Sequence, residues 1–159
     1  MFFEEKIELL KLQFPSTDFS VPFTNWSAIL KSIEKKFIVQ KNLNADLNNL
    51  QQYFNSWAGN IKSKVEIKSI DLSNYSGWLH QLDPNTNYWL VIAQPDLPAA
   101  KHMVYDCKPS SLIALLSFTQ GDFFIVDKKY NWLSYFKVDK QNKTASVYKS
   151  GEKITPFES

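Results

Sequence analysis

The 159-residue sequence contains no arginine, and all 18 of its basic residues are lysine. A planar guanidinium fork is the usual clamp for phosphate and carboxylate groups. Its absence argues against phosphoryl transfer and base readout. Cysteine occurs once, at Cys107, so no internal disulfide can form. The two histidines, His80 and His102, form no H-x-x-x-H pair, and one cysteine gives no C-x-x-C. Zinc needs three or four such ligands, and calcium needs clustered carboxylates, whereas the acids here are scattered singly; no metal is expected. The four glycines, Gly59, Gly77, Gly121 and Gly151, stand alone. They build no P-loop, dinucleotide fingerprint or G-x-S-x-G elbow, so no cofactor is expected. No window approaches the ~20 apolar residues of a membrane span. The first residues, Met1-Phe-Phe-Glu-Glu-Lys-Ile7, carry acid where a signal peptide carries base. The expectation is a soluble, cytoplasmic protein with no membrane contact.

What is present is aromatic. Rings make up 15% of the chain, from 12 Phe, 7 Tyr and 5 Trp, and each brings ~150–250 Å² to a core or an interface. The net charge of +2 comes from 18 basic and 16 acidic residues. That balance announces neither a nucleic-acid binder nor an acidic mimic of one. A chain of this length is read as one domain, 1–159, and buries roughly two-thirds of its extended-chain surface without staples.

The periodicities predict three helices first. Phe3, Ile7, Leu10 and Phe14 recur at helical spacing over 2–13. Trp26, Ile29, Leu30, Ile33 and Phe37 form a second stripe after a cap at Thr24 or Asn25. Phe37-Ile-Val39 either continues that helix or opens a strand. A third helix is predicted from about Asn44 to Trp57, with Leu43, Leu47, Leu50, Phe54 and Trp57 along one side and Gly59 as its stop. Its other side is polar but nearly uncharged, unlike a nucleic-acid helix.

Strands follow. Lys64 to Ile70 alternates apolar and polar residues, which predicts one dry face. Trp78 and Leu79 suggest a short helical turn, and Asp83 to Asn87 a turn. Tyr88-Trp-Leu-Val-Ile-Ala93 is apolar throughout and reads as an interior strand covered on both sides. Gln94 to Pro98 breaks it, His102 to Cys107 returns as the next strand, and Pro109 opens a helix. Gly121 to Phe136 then reads as two aromatic strands around a polar break, and Thr144 to Tyr148 as the last. This segregated order predicts an α+β fold, with N-terminal helices packed on one face of a mainly antiparallel sheet of about five or six strands.

Candidate chemistry is thin. On a strand over 102–107, His102 and Asp106 share one face while Tyr105 and Cys107 share the other, so strand parity separates His102 from Cys107. His102 and Asp106 would also lie two pleats apart, ~13 Å. Cys107 reads as a small buried hydrophobe. Asp122 and Asp127 flank one strand and point to opposite faces, with Asp127 placed to cap the following turn. Lys128, Lys129 and Tyr130 form a basic cluster beside an aromatic strand, too small for an RNA-stacking sheet.

The runs Tyr88-Trp-Leu-Val-Ile-Ala93, Lys101-His-Met-Val-Tyr-Asp106 and Gly121 to Leu133 resemble small bacterial proteins of unknown function. More distantly, the strand, Asp-Lys-Lys-Tyr, Trp-Leu pattern is similar to the SUKH superfamily of immunity proteins. The resemblance spans about residues 87–137. It implies an α+β domain that neutralises a toxin by binding it, and a turn-fixing role for Asp127, Tyr130 and Trp132.

The resulting expectation is a non-catalytic protein-binding module, not an enzyme, with another protein as partner and a toxin as the example the resemblance offers. Lys128, Lys129, Tyr130 and Trp132 are the partner-binding candidates. Two alternatives stand beside it. One is a structural or regulatory homo-oligomer subunit, such as a homodimer. The other is a small-molecule binder or enzyme with a pocket between helices and sheet, for which His80, His102, Tyr105 and Asp106 are the candidates.

Overall fold

The computed structural model describes residues 2–41, 43, 46–94, 97–151 and 155–158. Its centre is a single antiparallel sheet. In chain order the elements are α1 (Phe3–Gln13), β1 (Phe19–Ser20), α2 (Trp26–Phe37), α3 (Leu50–Gly59), β2 (Val65–Asp71), α4 (Tyr75–Leu79), β3 (Tyr88–Ala93), β4 (Val104–Cys107), α5 (Pro109–Leu116), β5 (Asp122–Asp127), β6 (Trp132–Asp139) and β7 (Thr144–Gly151). Short 3-10 turns lie at Leu72–Asn74, Ala100–Met103 and Pro156–Glu158. The fold is α+β, as the element order predicts. The sheet has seven strands, ordered β1-β4-β3-β5-β6-β7-β2, where five or six were expected. The extra strand is β1, two residues long and paired to Cys107 and Asp106. Two residues cannot show a period, so nothing marks β1 in the sequence.

Strand β3 has neighbours on both sides, β4 and β5, and Leu90, Val91 and Ile92 are buried. Its unbroken apolar run is what coverage on both faces requires. Pairing register defines the faces. Leu90, Tyr105, Cys107, Phe123, Ile125, Ser134, Phe136 and Val147 share the first; Trp89, Val91, Val104, Asp106, Phe124, Val126, Leu133, Tyr135 and Tyr148 share the second.

The expectation that the front helices share one face is corrected. Helix α1 sits on the first face, with Phe3 edge-on to Tyr105 at 6.5 Å and the helix packed on α5. Helices α2 and α3 cover the second, where Trp57 meets Phe124 edge-on at 5.3 Å and α2 lies against β4. Glu34 of α2 joins the two helices, accepting from Trp57 Nε1 at 3.2 Å and from the Tyr53 hydroxyl. The chain changes faces by wrapping the sheet edge through β1, between α1 and α2. On the first face Phe157 is wedged among Trp78, Trp132 and Phe136, with centroids 5.4–6.3 Å away.

Other boundaries follow local chemistry. Helix α3 begins at Leu50, because the Asn49 side chain caps it by accepting the Gln52 N–H at 3.2 Å. Of the earlier start predicted for it, residues 44 and 45 lie outside the described residues. Residues 95 and 96 of the predicted break after β3 do so too. Ile38 ends α2 and bridges Ile61, which settles the choice left open there. The dry face predicted for β2 is mostly wet. Its register slips between Glu66 and Lys68, and Ile70 is its one buried residue. No helix among the described residues is long and apolar enough to cross a membrane.

Candidate functional site

Lys128 and Asp106, expected in two different sites, meet in one. Lys128 Nζ lies 2.6 Å from Asp106 Oδ2 and 4.3 Å from the centroid of the Trp89 ring beneath it. Asn87 Nδ2 donates to Asp106 Oδ1 and to the Thr17 carbonyl, both at 2.9 Å. Register explains the meeting: Asp106 pairs with Trp89 across β4 and β3, and Tyr88 pairs with Asp127 across β3 and β5. Lys128 therefore leaves β5 directly over Trp89.

The turn that follows is built by Asp127. Its carbonyl accepts the Tyr130 N–H at 2.8 Å, and its carboxylate accepts the Lys129 and Asn131 N–H groups, each at 3.3 Å. Tyr130 holds φ at +55° and is half-buried. Trp132 is buried, 5.9 Å from Tyr88 and edge-on to Phe157. Of the four partner-binding candidates, Lys129 is the one that is exposed.

The pocket candidates do not converge. Strand β4 starts only at Val104, because residues 100–103 form a 3-10 turn. His102 therefore lies outside the strand that was expected to place it on the same face as Asp106, two pleats away. It is buried against Phe3 at 6.5 Å, and its Nδ1 has no hydrogen-bond partner. Burial, with Lys101 nearby, holds its imidazole below the ordinary value of 6.5. Tyr105 is buried on the first face, stacked on Phe19 at 5.9 Å, with an unpaired hydroxyl. Burial raises that hydroxyl well above the ordinary tyrosine range. Cys107 is buried too, and burial pushes its thiol far above the usual value. His80 is an exposed C-cap residue of α4. Among the described residues no hydrogen bond or ion pair joins any two of these groups, and no cluster of three metal-ligating side chains forms.

A ladder of rings runs across the second face. Trp57, Phe124, Tyr135 and Tyr148 succeed one another at 5.3, 4.7 and 5.8 Å, and Lys64 Nζ closes the row 4.9 Å from the Tyr148 centroid. Asp122 anchors it, accepting the Tyr135 hydroxyl and the Val138 N–H at 2.8 Å each. Beside α3 this ladder floors a cleft of about 470 Å³. Its rings are nevertheless core: only Tyr148 reaches solvent appreciably. Among the described side chains the exposed rings are Phe2 and Phe23.

The exposed apolar groups gather elsewhere, on α1. Ile7 and Leu10 turn inward and are buried, while Leu9 and Leu12 are 47% and 85% exposed. At 3.6 residues per turn Leu9 and Leu12 stand about 60° apart, on the side of the helix away from the core stripe. Phe2, at the N-cap, is 79% exposed. Three of the six exposed large hydrophobics of the described chain thus belong to this one helix and its cap. Glu5 and Glu8 flank the leucines, and Glu8 pairs with Lys11 at 3.0 Å. Sequence reasoning assigned the inward stripe and left Leu9 and Leu12 without a role. Two leucines off the stripe of an otherwise amphipathic helix were the available signal.

No protein-family model, curated protein or solved structure matches this chain.

Proposed function

We propose that this chain is a non-catalytic protein-binding module that docks through the outward side of α1. A helix apolar on one side fits a domain surface; one apolar on both sides is covered on both. The observation that carries the reading is the pair Leu9 and Leu12, standing in water opposite the buried Ile7 and Leu10. Solvent-facing leucines at adjacent helical positions are what a helix-in-groove partner takes up as anchors. Glu5 and Glu8 border the strip, so the fitting partner offers an apolar groove with lysine or arginine at its rim. An immunity-type inhibitor in the cytoplasm, which holds a toxin by contact, is the particular form of this reading that the SUKH-like strand pattern suggests.

A photoreactive phenylalanine analogue placed at Leu12 tests it in cells that make the protein naturally. The expected result is a covalent adduct of one defined mass with one partner, absent when the analogue sits at Lys143 in the far hairpin. An adduct of twice the chain mass assigns the strip to a homodimer instead. No adduct at Leu12, or the same adducts at both positions, overturns the docking surface.

A further inference from the structure

We propose that the first face of the sheet carries a second, separate binding site, for a small amphipathic carboxylate such as an aromatic or short aliphatic acid. The site is a hollow of about 340 Å³, at the small end of the range for small-molecule pockets. It arises from a step in the sheet. The ladder between β5 and β6 stops at Phe123 and Phe136, whereas β6 and β7 pair onward to Asp139 and Thr144. Helix α5 ends at Leu116 and does not reach over the step.

The floor is apolar, and its two rings are buried beneath it with their faces turned to each other. Phe123 and Phe136 lie stacked, with centroids 4.6 Å apart and planes 13° from parallel. Ala145 continues that floor from β7, and its single methyl leaves the depth that a larger residue would fill. Leu116 and Val138 form walls. The backbone at the step is not available to an added strand, because Asp122 already accepts the Val138 N–H. A compact ligand, rather than an extended peptide, is therefore the occupant that fits.

Charge selects the kind of ligand. Lys140 is the one ionisable side chain lining the hollow, it is exposed at the rim, and it makes no ion pair among the described residues. The adjacent Asp139 is engaged within the hairpin, where its carboxylate accepts the Asn142 N–H at 3.1 Å and Asn142 Nδ2 at 2.8 Å. An apolar body against Leu72 and Val138, the apolar side chains of the hollow that reach solvent, with an anionic end toward Lys140 satisfies both surfaces. The hollow contains none of α1, so the site stands or falls apart from the docking surface.

Octanoate and 1-octanol, titrated into the full chain and followed by amide NMR shifts, test the proposal. Saturable octanoate binding is expected, with shifts confined to residues around Leu72, 116–123 and 136–145. Lys140→Met should weaken octanoate about tenfold and leave octanol nearly unchanged, while Val138→Phe should abolish both. Leu72→Trp fills the hollow from the opposite wall and serves if Val138→Phe perturbs folding. The proposal is overturned by the absence of saturable binding, by shifts centred on Leu9 and Leu12, or by octanoate affinity that ignores Lys140→Met or survives filling of the hollow.

Discussion

Lys128 and Asp106 form an ion pair at 2.6 Å over the face of Trp89. The two residues are 22 positions apart in the chain, and the register of β3, β4 and β5 brings them together. Their side chains are 33% and 23% exposed, so solvent screens the pair only in part. A double-mutant cycle with Lys128→Met and Asp106→Asn should return a coupling of about 0.5–1.5 kcal/mol by urea denaturation. Lys128→Met alone should cost more than that coupling, since it also removes the contact with Trp89, about 0.5–1 kcal/mol. Additive single substitutions would contradict the pair.

That contact shows where sequence reasoning reaches and where it stops. Periodicity placed β3 in the interior, and it marked Asp127 as the cap of its turn, because both follow from residues within a few positions of each other. The pairing of β2 with β7, across more than 70 residues, leaves no local trace. The slip after Glu66 spoils the alternation from which a dry face was inferred. The parity argument for His102 assumed a strand that starts two residues too early. The aromatic surplus was legible as a supply of anchors; its destination, almost entirely the core, depended on layers stacked on both faces of the sheet.

Gly151 is required where it stands. It pairs with Trp132 at φ +113°, and a Cβ there would lie 2.3 Å from the Asn131 carbonyl oxygen. Relief means moving backbone at the turn that Asp127 fixes. Gly151→Ala should destabilise the fold by on the order of 3 kcal/mol, through strain and overpacking together. Thermal melting should fall by roughly 6–12 °C for a chain of this size. A loss under about 1 kcal/mol would show that the turn yields freely.

Cys107 should be silent to thiol reagents in the folded protein. Its sulfur is buried and burial raises its pKa, so little thiolate exists to attack. With Ellman's reagent at pH 8, modification should proceed at the rate of unfolding and become immediate in denaturant. Fast stoichiometric labelling of the native chain would contradict the burial.

His102 gives the fold a pH dependence with a definite sign. Burial and Lys101 lower its pKa, Glu4 opposes them, and Lys11 adds slightly to the lowering. Between its folded value and 6.5 the unfolded chain binds a proton that the folded chain does not. Stability is therefore full above about pH 6.5 and declines as pH falls through the folded value. Asp18, Asp71, Asp83 and Asp139 are held below 3.8 by their hydrogen-bond partners. Their contribution is present above that value and is lost only in stronger acid. Urea midpoints between pH 7 and 5 should slope downward in the natural sequence and flatten in His102→Gln. An unchanged slope would place the titrating group elsewhere.

The docking role of α1 is tested most directly by quantitative co-purification of the tagged chain against its Leu9→Asp, Leu12→Asp double variant, both from cells that express the protein naturally. Both side chains face solvent, so the variant should melt within a few degrees of the parent. The parent should bring down one partner in fixed ratio, and the variant should lose it. Equal recovery of that partner by both proteins, or no partner with either, would contradict the account.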